Sequence, residues 1–340
     1  MSDYLTTTAA IIQQTKSIEE GLPIKNDACR SKLFFHPSPT SKVCLFFHGF
    51  TAGPYQFDPI GKKLFEAGYN VLVPLQPGHG VVGNWDGHNP PPLPTKPEIY
   101  QDFALSWLKI AQDLGQQVIV GGLSTGGTLA AWLALEYPQQ IEKALLFSPY
   151  ISGNNGIINF IVEILPIYYQ WLNKDNPGNF GYDGFRMPAL RLFLDIGQEL
   201  IHRVEKDAAA PMFVIASESD QAINQSDLRN FALATIKHQE KSWYYSFDKM
   251  FEIPHTMMTE AEGNKYQDLL STVAKAYVES DITWAEVMEI GYQILQGKTF
   301  DNAVNELNLP ERVSLDLSVM LAVMDKQVII DAYKESYAII

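Results

Sequence analysis

The stretch "VIVGGLSTGGTLAAWLALEYP" (118–138) sets four glycines around one serine, between a β-branched run and a helix-forming one. A plain strand-to-helix turn has no need of Gly121 and Gly122 before Ser124 and of Gly126 and Gly127 after it. Glycine admits positive φ and close backbone approach, so the cluster predicts a strained turn that holds Ser124 up and exposed. Three turn types compete: an ordinary connection, a phosphate loop and a nucleophile elbow. The phosphate loop fails, because no lysine follows the glycines and "GGLSTGG" does not match G-x-G-x-x-G. Residues 122–126 do match G-x-S-x-G, in which the serine sits between strand and helix with its hydroxyl above the sheet. The flanks agree, with Val118, Ile119 and Val120 before and Ala130 to Leu135 after.

Around this turn the chain alternates. Strand-like runs at 31–36, 42–50, 70–77, 118–120, 143–149, 210–217 and 241–247 are separated by helical segments near 57–67, 98–114, 125–137, 225–237 and 264–279. Near-continuous apolar strands at this spacing predict an α/β fold, with a doubly wound, mostly parallel sheet covered on both faces. Between 151 and 206 the rhythm stops. Two helical stretches, 156–172 and 187–205, read as a cap inserted over the carboxyl ends of the strands, where α/β sites form. The expected organisation is a leader (1–28), a core (29–150 and 207–280), a helical cap (151–206) and a helical extension (281–340) broken at Pro310.

Composition removes several partners. A formal net charge of −14 argues against nucleic acid and against anionic lipid surfaces. The most apolar stretch, 157–172, carries Glu163 and Pro166 and is too short to span a bilayer. The first twenty residues lack a basic segment followed by an apolar one. Cys29 and Cys44 make no disulfide framework, and His79 with His88 makes no defensible metal site. The expectation is a cytoplasmic protein with no cofactor and no metal.

A raised serine needs a base. In a doubly wound hydrolase the order is serine, acid, histidine, which leaves His202, His238 and His255. His202 falls inside a cap helix and His238 at a helix end; His255 lies in a loop between the last strand and the last core helix, where a base can reach Ser124. The loop after 211–216 offers Glu218 and Asp220, of which Asp220 sits deeper in the turn. The oxyanion donors expected are the backbone N–H of Thr125, after the nucleophile, and that of Phe50 in the loop "HGF" (48–50). His48 reads as a brace of that loop.

With "FFHGFTAGP", "VPLQPGHG", "GGLSTGG", "SESDQAI" and the late His255, residues 30–280 resemble the α/β-hydrolase superfamily, closest to its carboxylesterases and monoacylglycerol lipases. The resemblance implies Ser124, Asp220 and His255 as a triad, with Phe50 and Thr125 as the oxyanion hole. Two features depart from it: Pro254, where glycine is usual before the base, and the tail beyond 280. The expected function is hydrolysis of carboxylic esters through an acyl-enzyme. A thioesterase or acyltransferase with the same triad is the alternative, and a non-catalytic binding protein the remaining one. The apolar cap residues, among them Phe160, Ile164, Tyr168 and Trp171, are expected to line a pocket for medium-length acyl chains. The apolar faces of the tail must be covered by the core, the cap or a second subunit; a homodimer through 281–340 is one arrangement that covers them.

Overall fold

The computed structural model describes residues 2–153, 167–171 and 178–337. Its centre is a seven-stranded sheet of β1 (Lys32–Phe34), β2 (Lys42–Phe47), β3 (Asn70–Val73), β4 (Gln117–Leu123), β5 (Lys143–Phe147), β8 (Met212–Ser217) and β9 (Trp243–Phe247), in the order β1-β3-β2-β4-β5-β8-β9. Only β1 runs antiparallel, paired with β3; the other neighbours are parallel. The inner strands β3, β5 and β8 are buried at every residue, and β2 and β4 at all but the first. Alternation survives only at the edge, in β9, whose burial switches residue by residue.

The period of two along a strand divides the core into two layers. Val43, Leu45 and Phe47 face one cluster, shared with α3 (Pro97–Leu114), α4 (Thr125–Glu136), α5 (Met187–Arg203) and α6 (Gln225–His238). Cys44 and Phe46 face the other, shared with α2 (Asp58–Glu66) and α7 (Gln267–Val278). Helix α4 is buried along its length between sheet and α5, which explains why its sequence is apolar all round. Helix α1 (Ser2–Glu20) adds Ile11 to the first layer and is tied to the sheet by the Tyr4 hydroxyl, which donates to Asn70 Oδ1 at 3.0 Å.

The insertion departs from expectation. Residues 168–170, read as the end of a helix, form strand β6 (Tyr168–Gln170), antiparallel to β7 (Gly184–Arg186). Adjacent tyrosines favour a pleated surface, and Gly184 lets the strands approach: a Cβ there would lie 2.5 Å from the Tyr169 carbonyl oxygen. The second expected helix is α5. The remainder of the helix expected over 156–172 falls outside the described residues.

The tail forms α8 (Trp284–Leu295), α9 (Phe300–Glu306), α10 (Leu317–Val323) and α11 (Lys326–Tyr337), with Pro310 in the break between α9 and α10. Thr283 and Glu286 close a capping box at the start of α8. Val287, Ile290, Leu317 and Met320 join the core layer of α2 and α7. The Trp243 indole N–H donates to the Ile282 carbonyl at 3.1 Å, and the Tyr245 hydroxyl to that of Val323 at 3.4 Å, so the tail covers the face of β9 that carries these rings. Beneath it the buried Lys143 ammonium donates to the carbonyls of Tyr277 (2.9 Å), Val278 and Ser280, capping the C-terminus of α7. Truncation after Ser280 would expose this whole surface and is expected to give insoluble or aggregated protein. A monodisperse truncated chain by light scattering, melting where the full chain does, would show the tail to be dispensable.

Candidate active site

Four loops meet at the carboxyl ends of β2, β4, β8 and β9. Ser124 follows β4 with φ 54° and ψ −119°, a backbone conformation that a side chain rarely tolerates. The strain is held in place by hydrogen bonds: Ser124 N–H donates to Phe147 O at 2.9 Å, and Ser124 O accepts from the N–H groups of Thr128 and Tyr150, each at 3.0 Å. The surrounding glycines each remove a specific clash. A Cβ on Gly122 would come within 2.1 Å of Gly126 O, one on Gly126 within 2.1 Å of Phe47 O, and one on Gly127 within 2.9 Å of Gly122 O. The elbow is therefore folded against itself and against the end of β2.

The residues expected as nucleophile, base and acid converge. His255 Nε2 lies 2.8 Å from Ser124 Oγ, and His255 Nδ1 lies 2.7 Å from Asp220 Oδ2. The Asp220 carboxylate is buried; its other oxygen accepts from Ala222 N–H at 2.8 Å. Burial pushes this carboxyl up, but His255 and the Ala222 N–H outweigh it and hold it below its ordinary range. Burial pushes His255 down, and again the partner wins: the Asp220 charge and hydrogen bond, with a smaller contribution from Glu262, leave the imidazole above its usual value. With Nδ1 donating to the carboxylate, Nε2 is free to accept the serine proton. Pro254 does not keep His255 from either partner. Ser217 Oγ, at the end of β8, donates to Ile253 O at 2.7 Å and ties the acid's strand to the base's loop.

The other candidates stand apart. Glu218 is exposed and accepts from Lys249 N–H. His88, His202 and His238 are exposed. His48 and His79 are buried in a reciprocal clasp between the 48–51 and 76–80 loops: His48 Nε2 accepts from Gln76 N–H, and His79 Nε2 accepts from Thr51 N–H, both at 3.1 Å. Burial lowers both imidazoles, His79 to about 4, so each stays neutral as its acceptor role requires.

The clasp fixes the Gly49–Phe50 peptide. Gly49 O accepts from His48 Nδ1–H at 3.0 Å and from Ala52 N–H at 3.2 Å. In a trans peptide the Phe50 N–H points the opposite way, and the Gly126 contact sets this loop against the elbow. At the other side, Thr125 N–H is a first-turn donor of α4. Residues 178–186 of the insertion dock over the same loop. Tyr182 N–H donates to Thr51 O at 2.8 Å, Trp171 Nε1–H to Thr51 Oγ1 at 2.8 Å, and the Phe50 ring lies 4.9 Å from that of Phe185. Tyr168 places its hydroxyl 3.4 Å from Trp85 O, whereas Phe160 and Ile164 lie outside the described residues. No group of histidines, cysteines and carboxylates suited to a metal ion occurs among the described residues, and none of their helices is long and apolar enough to cross a membrane.

Reading the sequence alone misses two residues here. Gln56, in the turn after β2, and Glu262, in "TEAEGN", are buried and bonded to each other at 2.7 Å. Neither stands in a periodic or motif position that would have marked it.

The fold aligns with one of two metagenome-derived lipolytic enzymes at a TM-score of 0.59 and 14% identity, over 74% of this chain and 98% of that one. It aligns with the monoacylglycerol lipase of Paleococcus ferrophilus at 0.57 and 15% identity, over 73% and 97%. The chain has the α/β-hydrolase fold. A family model described as "Serine aminopeptidase, S33" matches residues 38–179 of this chain. A thermostable monoacylglycerol lipase from Bacillus sp. (strain H-257) is 34% identical to it over 100 residues, 28% of this chain and 35% of the relative. The match thus spans about a third of that relative's length.

Gly126→Ala tests the elbow's packing. Its Cβ meets backbone, which cannot rotate aside, so the cost is expected to reach at least the about 1–3 kcal/mol typical of overpacked sites. An unchanged urea midpoint would show that the two backbones part freely.

Proposed function

We propose that this α/β-hydrolase is a serine hydrolase of carboxylic esters. The observation that carries the reading is the continuous Asp220–His255–Ser124 hydrogen-bond chain ending on a strained, raised serine. Ser124 Oγ attacks the ester carbonyl carbon as its proton passes to His255 Nε2, and Asp220 steadies the imidazolium. The carbonyl electron pair moves onto oxygen, which accepts from Phe50 N–H and Thr125 N–H. Collapse expels the alcohol, which takes the proton from His255. Water then gives a proton to His255 and attacks the acyl-serine, releasing the acid and regenerating Ser124.

An ester reading fits the site better than recognition of a peptide's free amino end, which calls for an uncommitted carboxylate. The two carboxylates that act on His255 are both engaged: Asp220 by His255 and Ala222, Glu262 by Tyr55, Gln56 and Thr259. The acyl group is proposed to lie beside the half-buried Tyr168 and Trp171, the latter packed on the buried Phe185 that touches Phe50. Phe160 and Ile164 are proposed to extend it.

A fluorophosphonate is expected to label Ser124 with parallel loss of esterase activity. Ser124→Ala should abolish both, and Asp220→Asn should lower kcat by about 10⁴, while Glu218→Gln stays near wild type. A crippling Glu218→Gln would move the acid; a wild-type protein inert to the probe would end the reading. Because the base must be neutral and its proton affinity is raised, kcat/KM should climb with pH along a limb centred above 6.5. A limb centred below that value would mean that Asp220 does not act on His255 in solution.

p-Nitrophenyl butyrate and octanoate are expected to exceed the acetate in kcat/KM; equal values along the series would count against an apolar acyl surface. Product partition between water and an added alcohol separates a hydrolase from an acyltransferase using the same triad.

A further inference from the structure

Glu262 is a buried carboxylate that the proposed chemistry leaves unused. It sits seven residues beyond the base, in the same loop, and every hydrogen bond it makes is directed. Oε1 accepts from Gln56 Nε2 at 2.7 Å and from the Tyr55 hydroxyl at 3.2 Å; Oε2 accepts from the Thr259 hydroxyl at 3.0 Å. Gln56 is itself buried, and its Oε1 accepts from Gly49 N–H at 2.8 Å. An unbroken path therefore leads from the loop that carries His255, through Glu262 and Gln56, to the peptide preceding the Phe50 N–H.

The amide of Gln56 has a single orientation in this path. Its oxygen must face the Gly49 donor and its nitrogen the Glu262 acceptor, so the carboxylate dictates which way the amide points. Reversed, the amide would place an NH2 against Gly49 N–H, two donors face to face in a buried site. The His48–Gln76 clasp holds Gly49 O, and Gln56 holds Gly49 N–H; between them the two peptides flanking Gly49 are fixed from both sides.

We propose that Glu262 is a positioning residue: through Gln56 it holds the His48–Gly49 peptide, and with it the adjoining Phe50 N–H that donates to the oxyanion. The proposal rests on the hydrolase reading above and deepens it. The ionisable groups facing Glu262 are Tyr55, from the turn after β2, and His255, from its own loop; His255 is faced in addition by Asp220, from the loop after β8. Burial raises Glu262 to about 7 against the pull of Gln56, Thr259 and Tyr55. Its charge is thus complete only above that value, is half present in the range where His255 titrates, and is withdrawn as the pH falls further.

Three variants separate tether from charge. Glu262→Gln preserves the tether, since its Oε1 still accepts from Gln56 and Tyr55 while its NH2 donates to Thr259, but it carries no charge. Glu262→Ala and Gln56→Ala break the tether. Both alanine variants are expected to lower kcat about tenfold or more, short of the about 10²–10³ of losing a hole donor outright, with KM little changed. Glu262→Gln should recover most of that kcat yet move the acid limb of kcat/KM to lower pH. His255 is also titrated by NMR in unmodified wild type and in Glu262→Gln, a readout that needs no turnover; the variant should titrate lower. Alanine variants within twofold of wild-type kcat overturn the tether, and an unmoved His255 titration overturns the charge. A wild-type protein inert to the fluorophosphonate, but with the NMR shift present, would defeat the hydrolase reading and leave the Glu262–His255 coupling standing.

Discussion

The close packing of Gly126 on the end of β2 is the constraint on which the site depends. With the Phe47 carbonyl oxygen placed where a side chain would begin, the elbow and the 48–51 loop cannot be set independently. Raising the serine and placing the 48–51 loop are one structural event. The same tolerance explains why glycine recurs on both sides of Ser124: each position faces backbone, which has no rotamer with which to yield. Positive φ at Ser124 is then a by-product of a turn clamped by Phe147 O, Thr128 and Tyr150.

Electrostatics adds a second layer. Two histidines deep in the loop clasp are kept neutral by burial, and a third, partly exposed, is kept ready for protonation by a carboxylate. The contrast follows from partners. His48 and His79 receive backbone N–H groups, which demand a neutral ring, whereas His255 faces Asp220, which favours the charged one. One side-chain type thus braces a loop in one place and stands between a carboxylate and a serine hydroxyl in another.

Much of this was legible from residues alone because it rests on periodicity and chain order. Apolar runs such as "KVCLFF" declared the buried parallel strands, and the order of loops after strands singled out Ser124, Asp220 and His255, which the structure joins by hydrogen bonds. Tyr168 and Tyr169 were misread because three residues carry too little period to distinguish a strand from a helix end, and their pairing with Gly184 is decided by tertiary contact. Gln56 and Glu262 were invisible for a different reason. A glutamate in "TEAEGN" looks solvated, and only the fold supplies the donors that justify its burial.

The tail has a consequence for the order in which this molecule can come into being. The layer that holds Phe46 also holds Val287 and Met320, so residues made early wait for partners made long after them. During synthesis the face of β9 that carries Trp243 and Tyr245 is uncovered until the helices after Ser280 arrive to pack on it. A ribosome-bound chain therefore presents an unfinished apolar face, the kind of transiently exposed surface that invites association between neighbouring nascent chains. Emergence of the helices after Ser280, rather than of the loop that carries His255, marks the moment at which this fold can close.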